Sequence, residues 1–576
     1  MSEKLKSTNI NKKKMWWCIA AGAVAVVALV LGLVLGLTLG KKGSPIALND
    51  AKVVQVGKDQ KVNVSWQTDK APQKVEISVL KSNGITENYV TITNPSTLAK
   101  GSYTIDSSYG KNKVNVTVYN GDYKASRTLN SNVFTDEYVI APLVATMPVT
   151  LFSLQLSEYT NNYQIPTFVW LQRGAAWNYN QMPENVYLVP MGDLNTMSTY
   201  NDADQMHIKT SEWVGELYEI NPESKFHLYV NDYHPFVWLQ ATIANRIPSS
   251  QYDVTLLTDG TASNYVFEQL YIKESAAADY DRMVQEYASF KQSVWDKNDP
   301  SSLDSKGLTF NINDIRNYVL QMLKEEENVK IVLTRDYFNA SNNADINETI
   351  KGYVNDLKAD DKIKTVNLYT LLNNLDETGK QNVKKLYKFG DNMFEKAQAE
   401  NKDAMVIMGT RTAGESNFDD YVAATKAFYG NNYVYYYKGH PWTPTASDAT
   451  KAKHLSDLGL IDIDSTISAE LIFYFNQDIV GTGYASTTYG SLNENQVGGI
   501  WGTSLESALA DYSANTKFVL NKLTSSHAKY GSLATSNSYL FEFTDTTNYD
   551  IAVFDAKTNK IEYYKVEGSN FTKVNK

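Results

Sequence analysis

Residues 404–440 read AMVIMGTRTAGESNFDDYVAATKAFYGNNYVYYYKGH. The two apolar runs in this stretch, Ala404–Met408 and Tyr433–Tyr437, have the length and composition of buried strands. Between them Tyr421–Tyr429 has helical patterning, and Gly430 follows it as a C-terminal stop. A strand, a helix and a second strand in this order predict a β-α-β unit, and therefore an α/β fold with parallel sheets.

The same alternation of strands and helices runs from about residue 137 to the carboxyl terminus. That length is too great for one sheet, so we expect two doubly wound domains that face a cleft, with the division near residues 385–400. Ligands of such folds bind beyond the carboxyl ends of the strands. Further elements are predicted as strands at Phe226–Val230, Val254–Leu257 and Val329–Leu333 and as a helix at Asn313–Glu327.

Residues 45–132 have a different pattern, in which apolar side chains occupy every second position. Gly, Asn, Asp and Ser clusters separate these runs, which predicts a small β-sandwich of immunoglobulin-like type without a disulfide. A spacer is the favoured role, and a binding module is the alternative. The alternating positions are Val62, Val64 and Trp66, then Val75, Ile77 and Val79, then Val114, Val116 and Val118.

An uncharged segment, Met15–Gly40, precedes this domain and is longer than the ~20 residues needed to span a bilayer. We interpret residues 15–40 as an uncleaved transmembrane signal anchor. Lysines are more numerous before it than after it, which predicts a cytoplasmic tail at residues 1–14 and a single-pass protein of the cell membrane with its catalytic part outside the cytoplasm. Acylation at Cys18 is the less favoured alternative, because tryptophans precede it where a lipoprotein has small residues.

Composition and missing motifs exclude several classes of protein. The net charge of -10, with no basic stripe beyond residue 42, argues against nucleic acid as a partner. The single cysteine excludes internal disulfides and cysteine-based zinc sites. Phosphate-binding loops, dinucleotide fingerprints, zinc-protease and serine-hydrolase motifs are also missing. Two D-x-D triplets, Asp202–Asp204 and Asp462–Asp464, are interpreted as solvated surface rather than as metal ligands.

Three segments bear chemically useful side chains, the first two of them after predicted strands and the third at a loop-to-helix boundary. The first is Leu256–Thr261, which contains an Asp-Gly pair, and the second is Tyr435–Pro441, which ends in Lys-Gly-His-Pro. The third is Ile467–Leu471 followed by Ala485–Tyr489, a run rich in hydroxyls. The simpler interpretations are a turn, a structural histidine and helix caps. The functional one is a ligand site, since hydroxyls at a loop boundary can also hold a phosphate.

In this order the segments resemble motifs of the bacterial sialyltransferases of glycosyltransferase family 80, the group with Pasteurella and Photobacterium members. That family has Asp-Asp-Gly, Lys-Gly-His-Pro, and Phe-Glu-Val-Leu leading to Ala-Ser-Ser-Leu-Tyr. The matching stretches here are Thr258–Gly260, Lys438–Pro441, Ala469–Ile472 and Ala485–Tyr489, with Met408–Thr410 near the family's Thr-Gly-Thr loop. The resemblance spans roughly residues 137–545, and some members also have an immunoglobulin-like domain in front.

The resemblance implies a GT-B architecture, with an acceptor-side domain at residues 137–390 and a CMP-sugar-binding domain at residues 391–576. It implies inverting transfer of sialic acid from CMP-sialic acid to a terminal sugar, such as a galactoside, without metal or cofactor. Asp259 would be the base, His440 the acid or electrostatic stabiliser, and His234 an acceptor contact. The implied donor-binding residues are Gly409, Thr410, Lys438, Gly439, Pro441, Glu470, Ser486 and Thr487.

The chain departs from the family pattern at three points. Thr258 stands where the family has the first aspartate, Thr487 replaces the second serine, and a donor-side tryptophan is missing around Arg411–Gly414. Two alternatives therefore remain open: a glycosyltransferase with a different sugar donor, or a surface glycan-binding protein or adhesin that retains a GT-B shell. The anchor and the β-sandwich favour the second alternative, whereas the joint presence of Asp259, His440, Glu470 and Ser486 favours catalysis.

Overall fold

The computed structural model divides the protein into two compact units, one ending at Val133 and the other formed by Phe134–Lys576. The residues that the structure describes are 43–81, 86–93, 99–159, 165–171, 177–189, 200–232, 247–258, 319–334, 348–387, 389–390, 392–410, 416–440 and 449–576.

In the first unit, the described residues form seven strands in two antiparallel sheets. One sheet has the order β1-β2-β5 and the other β4-β3-β6-β7. The alternating valines expected to face inward are buried, which confirms the predicted strands. The immunoglobulin-like assignment stays a prediction. The strands are β1 (Leu48–Gln55), β2 (Lys61–Thr68), β3 (Lys74–Leu80), β4 (Thr86–Thr93), β5 (Lys100–Asp106), β6 (Gly110–Asn120) and β7 (Tyr123–Val133).

The second unit begins with a seven-stranded sheet in which all strands are parallel. Its order is β10-β9-β8-β11-β12-β13-β14. The three strands predicted in this region are confirmed, with Val329–Leu333 matching in full. The strands are β8 (Glu137–Leu143), β9 (Thr167–Leu171), β10 (Val186–Leu188), β11 (Lys225–Asn231), β12 (Tyr252–Leu257), β13 (Val329–Leu333) and β14 (Ile363–Thr365).

The second sheet of this unit has ten strands in the described ranges, with the order β17-β16-β15-β18-β19-β20-β21-β22-β23-β24. The pairs up to β20 are parallel, as predicted, and the pairs from β20 to β24 are antiparallel. The antiparallel extension was not predicted. The strands are β15 (Asp403–Met408), β16 (Tyr433–Lys438), β17 (Ile461–Ile463), β18 (Val480–Tyr484), β19 (Val497–Trp501), β20 (Phe518–Lys522), β21 (Ser538–Phe543), β22 (Ile551–Asp555), β23 (Lys560–Glu567) and β24 (Asn570–Val574).

Helices accompany both of these sheets, which confirms the α/β class. The predicted helix before β16 begins three residues earlier than expected and ends at Tyr429, followed by its C-cap Gly430, whose φ is +75°. The described helices are α1 (Thr146–Tyr159), α2 (Tyr200–Ile220), α3 (Val319–Glu325), α4 (Glu348–Ala359), α5 (Leu368–Asn374), α6 (Glu377–Leu386), α7 (Glu395–Ala399), α8 (Phe418–Tyr429), α9 (Ala449–Asp457), α10 (Ala469–Phe475) and α11 (Leu505–Ser507).

Among the helices of the described ranges, none has the length and apolar character needed to cross a bilayer. The predicted anchor at residues 15–40 lies outside those ranges. The anchor and the cytoplasmic tail before it therefore stay predictions.

Helix α10 joins the two sheets of the second unit. Its Leu471 and Tyr474 belong to the apolar core that α1, α5 and α6 form on the seven-stranded sheet, whereas Ile472 and Phe473 pack in the core of the ten-stranded sheet. The Tyr474 hydroxyl also donates to Asn373 Oδ1 at 2.8 Å. Residues near the start of α10 therefore lie where the two halves of this unit meet.

In the seven-stranded sheet, His227 of β11 lies between two carboxylates near the amino-terminal ends of the strands. Its Nδ1 is 2.5 Å from Asp253 Oδ2, and its Nε2 is 2.7 Å from Glu137 Oε1. The hydrogen bond with Asp253, aided by Glu137 and opposed by burial, raises the pKa of His227 above its ordinary value. The two carboxylates therefore stabilise the folded protein when the imidazole of His227 is protonated.

We expect the His227→Gln variant to lose stability in a pH-dependent way. A raised folded-state pKa means that the contribution of His227 is complete below its unfolded pKa of about 6.5 and is lost as pH rises through the folded pKa. Thermal unfolding at pH 5.5 and pH 9 should therefore show a larger loss for the variant at pH 5.5. His454→Gln is the matched control, because His454 forms an exposed pair with Asp419 and should change little. Equal losses for His227→Gln at both pH values would contradict this prediction.

Candidate functional site

The carboxyl ends of the central strands in the ten-stranded sheet lie in one row. Met408 of β15 pairs with Lys438 of β16 on one side and with Gly483 of β18 on the other. Lys438 in turn pairs with Ile463 of β17. The residues that follow these strands therefore emerge along the same edge of the sheet, which brings together motifs that are far apart in the sequence.

The strand order places a topological switch point between β15 and β18. From β15 the sheet continues through β16 and β17 on one side, and from β18 through β19 and β20 on the other. Open α/β sheets bind ligands in the crevice at such a point. Gly409 and Thr410 follow β15, and Ser486 lies two residues beyond β18. These three candidate donor-side residues are thus placed at the switch point.

Gly483 makes the close approach of β15 and β18 possible. Its φ is +125°, a conformation that L-residues with side chains rarely adopt. A Cβ atom at this position would lie 2.4 Å from the carbonyl oxygen of Met408 and 2.6 Å from its nitrogen. Only glycine therefore fits beside Met408 without a shift of the backbone that precedes Gly409.

Glu470 is buried in the first turn of α10, and hydroxyl groups hold both of its carboxylate oxygens. Ser468 Oγ donates to Oε2 at 2.6 Å, and Thr488 Oγ1 donates to Oε1 at 2.8 Å. Its side chain is 7% exposed. Each carboxylate oxygen has a further lone pair, so the group keeps the capacity to accept hydrogen bonds from a ligand.

Ser486 and Thr487 lie at the start of the short 3-10 helix Thr487–Ser491 and are half-buried. Ser486 Oγ accepts from the backbone N–H of Thr488 at 3.3 Å, so the capping role considered for this hydroxyl run is present. Ser486 Oγ also donates to Thr488 Oγ1 at 3.2 Å. Thr488 therefore connects this loop to Glu470.

Lys438 and Gly439 are buried at the end of β16, and the half-buried His440 follows them. The Lys438 ammonium donates to the carbonyl oxygens of Gly439 and Ser465, both at 2.9 Å. The N–H of Gly409 donates to the carbonyl oxygen of Lys438 at 2.9 Å. The Lys438 ammonium thus joins the segment that carries His440 to the loop at Ser465, and a backbone hydrogen bond joins it to the loop at Gly409.

Three residues of the sequence prediction lie outside the described ranges: Asp259, His234 and Pro441. The residue before Asp259, Thr258, is fully buried at the end of β12, and its N–H donates to the carbonyl oxygen of Val332 at 3.2 Å. In the sequence, Asp259 comes two residues after the last residue of β12.

No role was assigned from the sequence to four residues with a place in or near the site, two of which lie in the third of the segments named above. Ser468 and Thr488 hold Glu470, and their hydroxyl spacing around the glutamate was the available signal. Asp232 comes directly after β11, the neighbour of β12, and is 1% exposed. The available signal was an acidic residue at the end of an apolar strand. Tyr369 of α5 donates to Gln496 Oε1 at 3.0 Å. Burial, with a smaller effect of the Glu470 charge, raises the pKa of Tyr369, so this hydroxyl stays neutral.

The D-x-D triplet at Asp462–Asp464 has a structural use. Asp464 Oδ1 accepts from the N–H and the hydroxyl of Thr466, which closes the turn after β17. Of Asp202–Asp204 in α2, the structure describes the backbone alone. Across the described ranges, no group of three His, Cys, Asp or Glu side chains is arranged to hold a metal ion.

Comparison with known proteins gives structural similarities at low sequence identity. No family model matches the chain, and no curated protein does. It is similar to a sialyltransferase from Photobacterium damsela (12% identity, 78% of this chain and 92% of that one, TM-score 0.45). It is also similar to a Photobacterium 2,6-sialyltransferase solved with the donor product CMP and the acceptor substrate lactose (14% identity, 78% and 90%, TM-score 0.46).

A third similar structure belongs to another class of enzyme. It is the UDP-GlcNAc 2-epimerase of Neisseria meningitidis, solved with UDP-GlcNAc (10% identity, 65% of this chain and 85% of that one, TM-score 0.36). At these TM-scores the similarities do not identify an activity for this chain.

Proposed function

We propose that the protein is a sialyltransferase of GT-B architecture that transfers sialic acid from CMP-sialic acid to a terminal sugar hydroxyl, with inversion and without metal. The observation that carries the proposal is the row of strand ends at the β15/β18 switch point. It gathers the Gly409 and Lys438–His440 segments, and Ser486 follows it closely. These are the segments that resemble the family's donor-side motifs.

The donor nucleotide would lie along this edge. A phosphate there can receive hydrogen bonds from hydroxyls and backbone N–H groups, which Ser486, Thr487 and the glycine-containing loop after β15 are placed to supply. Glu470 would accept from the two ribose hydroxyls, since each of its oxygens already accepts one hydroxyl bond and has a free lone pair. Ser468 and Thr488 keep the carboxylate in the orientation for that role.

The reaction is a direct displacement. Asp259 would remove the proton from the acceptor hydroxyl, whose oxygen attacks the anomeric carbon of sialic acid. The bond from that carbon to the phosphate oxygen of CMP breaks as the new glycosidic bond forms. His440 would protonate or electrostatically stabilise the departing phosphate. Attack on the face opposite the phosphate inverts the anomeric centre, and His234 would contact the acceptor.

The test is an assay of the whole chain with CMP-sialic acid and lactose in the presence of EDTA, in which CMP and sialyl-lactose are measured together. We expect both products in equal amounts. CMP without the trisaccharide would indicate hydrolysis or a different acceptor. Binding of CMP without turnover would favour the glycan-binding alternative, and neither binding nor turnover would overturn the proposal.

For the Asp259→Asn variant we expect loss of more than nine-tenths of transfer activity, because the amide cannot accept the acceptor proton. The affinity for CMP should stay close to that of the wild type, since the proposed role of Asp259 is on the acceptor side. Titration calorimetry with CMP supplies that control. A variant that keeps more than a tenth of wild-type transfer would show that Asp259 is not the base.

We also propose that residues 15–40 anchor this activity in the cell membrane, with residues 1–14 in the cytoplasm. Protease treatment of intact cells is the test. Digestion of the part after the anchor would support the proposed orientation, and full protection would reverse it.

A further inference from the structure

The Lys438 side chain connects the two donor-side segments that bear His440 and Glu470. It is 3% exposed, and its ammonium donates to the carbonyl oxygens of Gly439 and Ser465 at 2.9 Å. Gly439 directly precedes His440. Ser465 belongs to the turn that Asp464 closes, and this turn leads into the helix that bears Glu470.

We propose that Lys438 is a positioning residue, whose buried ammonium sets the relative placement of His440 and Glu470 through backbone carbonyls. This inference rests on the proposed function. The trans peptide unit that joins Gly439 and His440 is planar, with its C=O and N–H pointing in opposite directions. Because the Gly439 carbonyl faces the ammonium, the N–H of His440 is directed away from it. One charged group therefore controls the orientation of the peptide unit before His440.

The hydrogen bonds continue from the turn to the hydroxyl loop. Ser468 donates to one oxygen of Glu470, Thr488 donates to the other, and Ser486 contacts Thr488. A buried ammonium needs oxygen partners that compensate for its burial, which the carbonyls of Gly439 and Ser465 supply here. Removal of the ammonium leaves these two carbonyls without this donor. Loss of the Lys438 charge is therefore expected to loosen three segments together: the residues around His440, the turn before Glu470 and the loop at Ser486.

The chain contains a matched control in Lys426 of α8. Its ammonium also donates to two backbone carbonyls, those of Leu458 at 2.6 Å and Gly459 at 3.3 Å. Those carbonyls precede β17, at the opposite end of this strand from Ser465. Lys426→Met therefore removes the same kind of interaction without touching the segments of the site.

The experiment compares Lys438→Met, Lys438→Gln and Lys426→Met in the whole chain by hydrogen exchange and by CMP titration. For Lys438→Met we expect faster exchange in all three segments, a CMP dissociation constant at least tenfold higher, and an unchanged KM for lactose. Glutamine keeps an N–H donor for a carbonyl, so Lys438→Gln should recover part of the affinity. Lys426→Met should keep wild-type CMP affinity and wild-type exchange at the three segments.

The inference is wrong if Lys438→Met changes only the free energy of unfolding and leaves CMP affinity and hydrogen exchange at the three segments unchanged. That is the result expected of the control, Lys426→Met. Failure of the proposed function is a separate result. It would appear as wild-type protein that binds no CMP, and the exchange comparison would then decide the positioning role by itself. Faster exchange at the three segments would support that role, and unchanged exchange would refute it.

Discussion

Replacement of His440 with alanine is expected to lower kcat for sialyl transfer by about 10²–10⁴-fold, the range for loss of a positioned acid. The half-buried imidazole follows the strand-end row, and in the proposed reaction it meets the negative charge that develops on the departing phosphate. Alanine removes both the proton and the charge. The measurement is steady-state kinetics with CMP-sialic acid and lactose.

His454→Ala provides the control for this result. His454 lies in the same half of the unit, on α9, and forms an exposed pair with Asp419 at 2.8 Å. Its replacement should leave kcat within twofold of the wild type. If His440→Ala retained more than a tenth of wild-type kcat, the leaving group would depart without help from this residue, and its assignment would be abandoned.

For Gly483→Ala we expect a loss of about 2–6 kcal/mol in the free energy of unfolding, because two costs combine. A side chain at this positive φ costs roughly 1–3 kcal/mol. The backbone shift needed to relieve the contact with Met408 adds about 1–3 kcal/mol. The contact would otherwise be 2.4 Å. Since Gly409 directly follows Met408, the variant should also bind CMP more weakly. Thermal unfolding and CMP titration measure the two effects.

Gly502 provides a control that separates the cost of the positive φ from the cost of the close contact. Its φ is +71°, but nothing lies within 4 Å of a Cβ atom built there. Gly502→Ala should therefore show the conformational cost alone, about 1 kcal/mol. Equal losses for Gly483→Ala and Gly502→Ala would mean that the close approach of β15 and β18 contributes nothing.

Much of the site could be predicted because its motifs follow strands. The aromatic strand before Lys438 and the apolar strand before Gly409 were readable as strands, and parallel strands end at a common edge. Ser486 was proposed from its hydroxyl run and from the family resemblance, and the strand before it, β18, was not predicted. Tyr369 could not be found in this way, because its contact with Gln496 joins residues 127 positions apart and leaves no local pattern.

The contacts of the Lys438 side chain could not be predicted for the same reason. Its position at a strand end was readable, and the resemblance suggested a contact with the donor. The direction of its ammonium depends on where the turn at Ser465 lies, and that turn belongs to a different strand connection. Side-chain partners across such connections follow from the packing of the whole sheet.

The antiparallel strands from β21 to β24 were also missed. An alternation of strand and helix patterns in the sequence indicates parallel β-α-β units. The prediction extended that alternation to the carboxyl terminus. The structure replaces it with a series of antiparallel neighbours added to β20. Strand pairing across an edge depends on which neighbour is free, which local patterning does not encode.

By itself, the sequence determined the α/β class, the separate β-rich domain in front and the strands that precede Asp259, Gly409 and His440. These properties depend on hydrophobic periodicity, which is local and readable from a single chain. The tertiary structure alone decided the strand order, the switch point between β15 and β18, and the hydroxyls that hold Glu470. These depend on long-range pairing, in which residues distant in sequence become neighbours because the sheet must bury its faces and satisfy its buried polar groups.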